Sequence, residues 1–340
     1  MRYEEQRLDP HEIARLVGKA IGHVACALRP DVLAALKIAQ AREKAAQEGS
    51  ERACSVLSQL IENASIAACD RVPLCQDTGT VWVLLEAGRN CVIPTDIFAE
   101  VDAAVADAYA STGLRMSLVR DSLIDRRNSG DNTPAFCELA LCPERVGARL
   151  HVMLKGGGSD NASRIVMLPP GEGLAGVRRV VVEAIVEKAA NACPPLVVGV
   201  GVGTTFDKVA TLSKRALLRE LGSVNERPEI DLFERELLEA VNATGIGPGG
   251  FGGQTTALAV HVLTAPSHIA ALPVAVNIGC CALRSVSLDV VPGKDKEESG
   301  PSATPGDHRR SATPGDHRRS AASNESGRTG SGRAERGVCA

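Results

Sequence analysis

Between residues 81 and 279, short aliphatic runs alternate with stretches whose apolar residues recur at helical spacing. No other feature narrows the fold as far, because strands alternating with helices build mixed α/β layers. The runs VWVLLE (81–86), FCELAL (136–141), LHVMLK (150–155), PLVVGV (195–200), TTALAVHVLT (255–264) and PVAVNIG (273–279) read as strands. FCELAL and LHVMLK read as neighbours. Helices are expected over 95–111, where Ile97, Val101, Val105 and Ala108 share a face, and over 174–191, 208–219 and 230–241.

Upstream, the chain reads mainly as helix. Asp9 caps a first helix with Pro10 at its first position, and Ile13, Leu16, Val17, Ala20, Ile21, Val24 and Leu28 follow at helical spacing. A second helix is expected over 30–47, and a third across Val56, Leu57, Leu60, Ile61 and Ala64. The expected fold class is therefore mixed α/β. A helical N-terminal part precedes mixed-sheet layers, in one domain spanning residues 1–290.

From about Val286 the character changes. Residues 291–340 are low in large apolar side chains, and SATPGDHRR occurs twice, at 302–310 and 311–319. Such a segment cannot bury enough surface to offset its ordering entropy, so a disordered tail is expected. His308 and His317 read there as solvated residues rather than metal ligands.

Aromatic residues make up only 2% of the chain, so Val, Leu, Ile and Ala must build the core. That scarcity argues against the stacking platforms of single-strand nucleic-acid binding. A net charge of −3 leaves no basic footprint for nucleic acid or an anionic membrane. There is no apolar run long enough to span a bilayer and no hydrophobic signal region, so a cytoplasmic location is expected. The cysteines, 11 in all, should be mostly reduced there.

Two glycine-rich stretches invite nucleotide readings. GVGVGTTF (199–206) fits G-x-G-x-x-G in no register, and GPGGFGG (247–253) lacks the Gly-Lys-Ser/Thr of a phosphate loop. Three cysteines stand out instead. Cys75 lies in VPLCQDTGT, Cys193 in NACPPLVVGVG and Cys280 in PVAVNIGCCALR. Each sits at the end of an expected element, where loops present functional groups. They are far apart in sequence and form no CxxC pair, so a zinc ribbon or ferredoxin-type run is not indicated.

The flanking segments VPLCQDTG (72–79), NSGDNTP (128–134), KGGGSDN (155–161), CPPLVVGVGVG (193–203), GIGPGGFGG (245–253), TTALAVHV (255–262) and HIAALPVAVNIGC (268–280) occur in that order. Over roughly residues 10–285 the chain resembles the α subunit, or N-terminal half, of class I fumarases and related hydro-lyases. The resemblance implies a [4Fe–4S] cluster held by three thiolates, at Cys75, Cys193 and Cys280. Within the Cys280–Cys281 pair, the register VN-x-x-C favours Cys280. Thiolates are soft donors suited to iron–sulfur centres, and three of them leave one iron open to act as a Lewis acid.

The resemblance further implies substrate contacts from Gln76 and Asp77, with Asp77 as acid–base candidate. Arg115, in GLRMSLV, would pair with a substrate carboxylate, for which an arginine fork is geometrically suited. Gly158, in the glycine run 156–158, would offer a backbone amide. His268 would reach a neighbouring active site across a dimer. A β subunit would complete the site in an α2β2 assembly acting on a small dicarboxylate. Reversible hydration of fumarate to L-malate is the expected reaction, because GDNTP and KGGGSDN differ from what L-tartrate dehydratase α subunits carry. Tartrate dehydration and a non-catalytic iron–sulfur subunit are the alternatives. Gln254, Leu283 and Ser285 depart from the family pattern.

Overall fold

The computed structural model describes residues 4–46 and 50–291. The tail from residue 292 onward, with His308 and His317, lies outside the described residues. Strand β1 (Gln6–Arg7) leads into helices α1 (Pro10–Cys26), α2 (Pro30–Ala45) and α3 (Glu51–Asp70). The Asp9 carboxylate accepts the His11 amide at 3.0 Å, the cap expected there. Strands β2 (Thr80–Gly88) and β3 (Cys91–Val92), helix α4 (Val101–Thr112), and strands β4 (Phe136–Cys142) and β5 (Ala148–Lys155) follow. Then come the short helix α5 (Gly157–Asn161), strand β6 (Arg164–Leu168), helix α6 (Gly173–Lys188), strand β7 (Leu196–Thr204), and helices α7 (Phe206–Ala216) and α8 (Pro228–Asn242). Strands β8 (Ala257–Ser267), β9 (Leu272–Gly279) and β10 (Arg284–Val290) end the described chain.

The mixed α/β class is as expected, with three corrections. The helix placed over 95–111 begins only at Val101, because residues 95–100 form turns. Strands β6 and β10, RIVML and RSVSLDV, carry Arg, Ser and Asp that hide them from a search for aliphatic runs. FCELAL and LHVMLK are not neighbours, since β2 lies between them, parallel to β4 and antiparallel to β5.

The strands form two four-stranded sheets, ordered β10-β5-β2-β4 and β6-β9-β7-β8. Helices α1 and α4 cover one face of the first sheet, where Ile13, Val17, Ile21 and Val105 meet Val81, Val83, Leu85, Leu150 and Val152. Helices α6 and α8 cover one face of the second, where Val177, Val181, Leu237 and Val241 meet Leu196, Val198, Val200 and Val276. The remaining faces close on α7. Trp82, Leu84 and Met153 from the first sheet and Val197 from the second pack with Leu217 just past its end. Alternate residues of β2 thus enter two different cores, which is why its sequence is apolar on both faces.

Helix α7 sits unusually close to β7. A Cβ on Gly199 would lie 2.3 Å from the Ser213 carbonyl oxygen, and one on Gly201 would lie 2.7 Å from the Ser213 nitrogen. The GVGVG run is therefore a strand surface shaped for a helix. Arg215 of α7 reaches Glu86 of β2 at 2.5 Å, and the Lys214 ammonium lies 5.6 Å from the centre of the Trp82 ring. Among the described residues, no helix is long and apolar enough to cross a membrane.

Candidate active site

Sheet register brings the loops of the three cysteines to one place. In the first sheet β2 begins where β5 ends, with Thr80 opposite Lys155, and β10 begins at the same end, with Arg284 opposite Leu154. In the second sheet β7 begins where β9 ends, with Val197 opposite Gly279. The short link from β9 to β10 joins these two ends. Cys75 precedes β2, Cys193 precedes β7, and Cys280 follows β9.

Each loop is anchored by its own hydrogen bonds. The Leu74 amide donates to the Ala25 carbonyl at 2.8 Å, and Asn63 Nδ2 donates to the Leu74 carbonyl at 2.9 Å. Just past Cys75, both oxygens of Asp77 are engaged. Oδ1 accepts the Gly79 amide at 3.1 Å, and Oδ2 accepts the Gly157 amide at 2.8 Å. Asp77 therefore staples the Cys75 loop to the glycine run. A Cβ on Gly156 would crowd this staple, lying 3.0 Å from Asp77 Oδ2. Gln76 is exposed, with its Oε1 3.4 Å from the Cys75 sulfur.

Cys193 has φ of 54°, in the left-handed region that side chains with a Cβ rarely adopt. Such conformations persist where the surroundings over-determine them, and they cluster at functional sites. Here the surroundings are the second glycine-rich loop. The Gly249 amide donates to the Pro194 carbonyl at 2.8 Å. A Cβ on Gly250 would meet the Ala190 Cβ at 3.2 Å. That loop is held in turn by Glu43, whose Oε1 accepts the amides of Gln254 and Thr255 at 2.7 and 2.9 Å. GPGGFGG is thus a brace behind Cys193. The third loop closes the site, with the Cys281 amide donating to the Cys193 carbonyl at 3.0 Å.

The thiols interact electrically. Burial pushes the Cys193 thiol up, and the charges of Cys280, Cys75 and Asp77 push it further. Burial also pushes Cys280 up, while Arg284 draws it back down. Burial, followed by the charges of Cys280, Cys193 and Cys75, pushes Cys281 well above the ordinary thiol value. Among the described residues, no group of three or more His, Cys, Asp or Glu is gathered tightly enough for a single metal ion. A cubane does not demand that, since each cysteine binds a different iron. The donor set of three mutually repelling thiols fits such an anion-stabilised cluster. So do two buried cations beside it, Lys155 at 2% exposure and Arg284 at 1%. Both cations lie in segments that the sequence singled out, KGGGSDN and CCALR.

The other expected residues fall into two groups. Arg115 lies on a loop tied to the Cys75 loop. Its side chain is exposed, and its carbonyl accepts the Thr78 hydroxyl, one residue past Asp77. Asn132 of NSGDNTP, fully buried, fixes that loop. Its Oδ1 accepts the Ser117 amide at 2.7 Å, and its Nδ2 donates to the Gly79 carbonyl at 3.1 Å. Gly158 is exposed in the first turn of α5, beside the amide that Asp77 occupies. His268 is not brought to the cysteines. It lies exposed in the turn between β8 and β9, where Ser267 pairs with Thr204 at the far end of β7.

Comparison with known proteins shows the chain's family. The fumarate hydratase (Fumerase) family profile matches residues 14–289. A Methanocaldococcus jannaschii protein named "Putative L(+)-tartrate dehydratase subunit alpha" is 37% identical over 253 residues, which covers 72% of this chain and 88% of that protein. The L(+)-tartrate dehydratase subunit alpha of Escherichia coli strain K12 is 35% identical over 219 residues, covering 64% of this chain and 72% of that protein. The chain belongs to the fumarate hydratase (Fumerase) family and is a hydro-lyase by descent.

Proposed function

We propose that the chain is the α subunit of an iron–sulfur hydro-lyase that interconverts fumarate and L-malate. The observation that carries this reading is the meeting of Cys75, Cys193 and Cys280 at one end of two sheets, with Gln76 and Asp77 directly beside the first. Those three thiolates would hold a [4Fe–4S] cluster. When bound, the cluster would supply one iron without a protein ligand, a Lewis acid for loss of a hydroxyl group.

The remaining work falls to side chains. Arg115, exposed on an anchored loop, would clamp one substrate carboxylate with its planar fork. Gly158 would offer its amide, and Gln76 a polar contact. Asp77 would hold or accept a proton. Each of its oxygens accepts one backbone amide and keeps further acceptor capacity. His268 would serve the site of a neighbouring copy, and a β subunit would supply the remaining groups in an α2β2 assembly. A reducing, cytoplasmic setting suits the described cysteines, all of which are free thiols.

Tartrate dehydration is the second reading, favoured by the names of the relatives. Anaerobic co-expression with the partner subunit, then assay of malate, fumarate and L-tartrate, tests both. Turnover of malate and fumarate supports the first reading and turnover of tartrate alone the second. Turnover of none, with iron and sulfide bound, overturns both.

A further inference from the structure

The deepest charge near the cysteines has no partner on two of its nitrogens, and the next has only a half-exposed one. Arg284 is 1% exposed, and its Nε and Nη1 are buried without any hydrogen-bond acceptor. Its Nη2 lies 3.7 Å from where a Cβ on Gly156 would sit, a point 3.0 Å from Asp77 Oδ2. Yet among the described residues no carboxylate is within ion-pair distance of Arg284. Lys155 is 2% exposed, and its ammonium meets Ser159 Oγ at 3.2 Å and Asp160 Oδ1 at 3.2 Å. Asp160 itself is half-exposed, so its charge is screened by water.

A buried guanidinium without acceptors is strongly unfavourable, because water's hydration is lost and nothing replaces it. The charge needs an anion. Cys280 is the electrostatic neighbour common to both cations. A cubane core carries less positive charge than three thiolates carry negative charge, so the assembled group is an anion. We propose that Arg284 and Lys155 form a buried cationic floor that counter-charges the cluster. They act as positioning residues, through the cluster rather than on the substrate. This rests on the reading of the three cysteines as cluster ligands.

The floor has two consequences of opposite sign. It raises the cluster's reduction potential, because a nearby cation favours the more negative, reduced state. It also burdens the protein without its cluster, because the charges are then uncompensated. Oxidative damage follows the same direction. A bound cluster would be open to one-electron oxidation by dioxygen, which would leave as superoxide, followed by loss of one ferrous ion. Loss of a cation favours that first electron transfer.

The test uses the full chain, anaerobically reconstituted with iron and sulfide, as wild type, Arg284→Met, Arg284→Lys and Lys155→Met. Reductive titration followed by electron paramagnetic resonance gives the potential. Iron release in air and urea unfolding of the cluster-free chain are measured in parallel. Both neutral variants should shift the one-electron equilibrium about tenfold toward the oxidised state, about 59 mV lower, and release iron faster. Arg284→Lys should stay near wild type. Without the cluster, Arg284→Met should be at least as stable as wild type. An unchanged potential in both neutral variants overturns the proposal, as does a cluster-free Arg284→Met chain that unfolds more readily than wild type, since Arg284 would then be structural. If wild type itself takes up no iron and sulfide, the cluster reading fails and the inference falls with it.

Discussion

At the scale of single residues, the sharpest choice is between Cys280 and Cys281. Both thiols lie near Cys193 and Cys75 and burial raises both, but beside Cys280 the charges of Arg284 and Lys155 oppose that rise. Cys281 is pushed up by burial and by its neighbours' charges, and its amide is already committed to Cys193. A thiol that resists ionisation is the poorer ligand. Replacing Cys75, Cys193 or Cys280 by Ser should therefore abolish cluster assembly, whereas Cys281→Ser should leave about four irons per chain, as expected of a cubane. Iron and sulfide analysis decides. Loss in Cys281→Ser with retention in Cys280→Ser would move the ligand by one position. The cysteines were legible because a polar or glycine-rich motif surrounds each of them. Arg284 and Lys155 were not, because an isolated cation in a sequence is surface by default and only the register shows it to be buried.

At the scale of elements, the motifs divide between carrying chemistry and carrying loops. GVGVG and GPGGFGG are glycine-rich without the spacing of nucleotide loops, and one seats α7 while the other braces Cys193. Asn132 within GDNTP and Ser159 within KGGGSDN tie loops together as well, so these motifs alone do not choose between fumarate and tartrate. The aliphatic strands were legible from composition. β6 and β10 were not, since β6 is short, β10 is polar at Arg284, Ser285, Ser287 and Asp289, and both pair with strands distant in sequence. The seat of α7 makes a direct prediction. Gly199→Ala would drive a methyl group into the Ser213 carbonyl, so the urea midpoint should fall, reflecting a stability loss of about 1–3 kcal/mol as overpacking usually costs. An unchanged midpoint would mean that α7 moves freely on β7.

The same interface predicts a pH response. The His151 ring beside Glu86 at 3.4 Å, then Arg215 and Arg145, hold its carboxyl at about 2, against an ordinary value of 4.5. The folded value is the lower one, so the stabilisation is fully present above about 4.5 and is lost as pH falls through about 2. Urea titrations of Glu86→Gln should show a flatter stability profile than wild type across that window. A parallel profile would remove Glu86 from the contacts that dock α7 on the first sheet.

At the scale of the whole molecule, the question is what this chain can do unaided. A dicarboxylate is a dianion, and catalysis needs cations at both its ends held about 3 Å away. Arg115 can take one end. Arg284 and Lys155 are buried and cannot take the other. His268 lies at the opposite end of β7, a strand of 9 residues. At about 3.3 Å per residue that is roughly 30 Å away. Its exposure, with Ile269 beside it at 92%, fits a group that acts on another chain. The relatives are themselves named as alpha subunits. The full chain with its cluster assembled should therefore bind iron and sulfide yet leave malate and tartrate unchanged until a β subunit is added. His268→Ala should then lower turnover in the assembly without altering the iron content of the chain. Steady-state assay of the chain alone and with its partner, beside iron analysis of both, separates the steps. Turnover by the isolated chain would mean that these residues hold both ends of the substrate themselves, by a clamp other than Arg115 and His268.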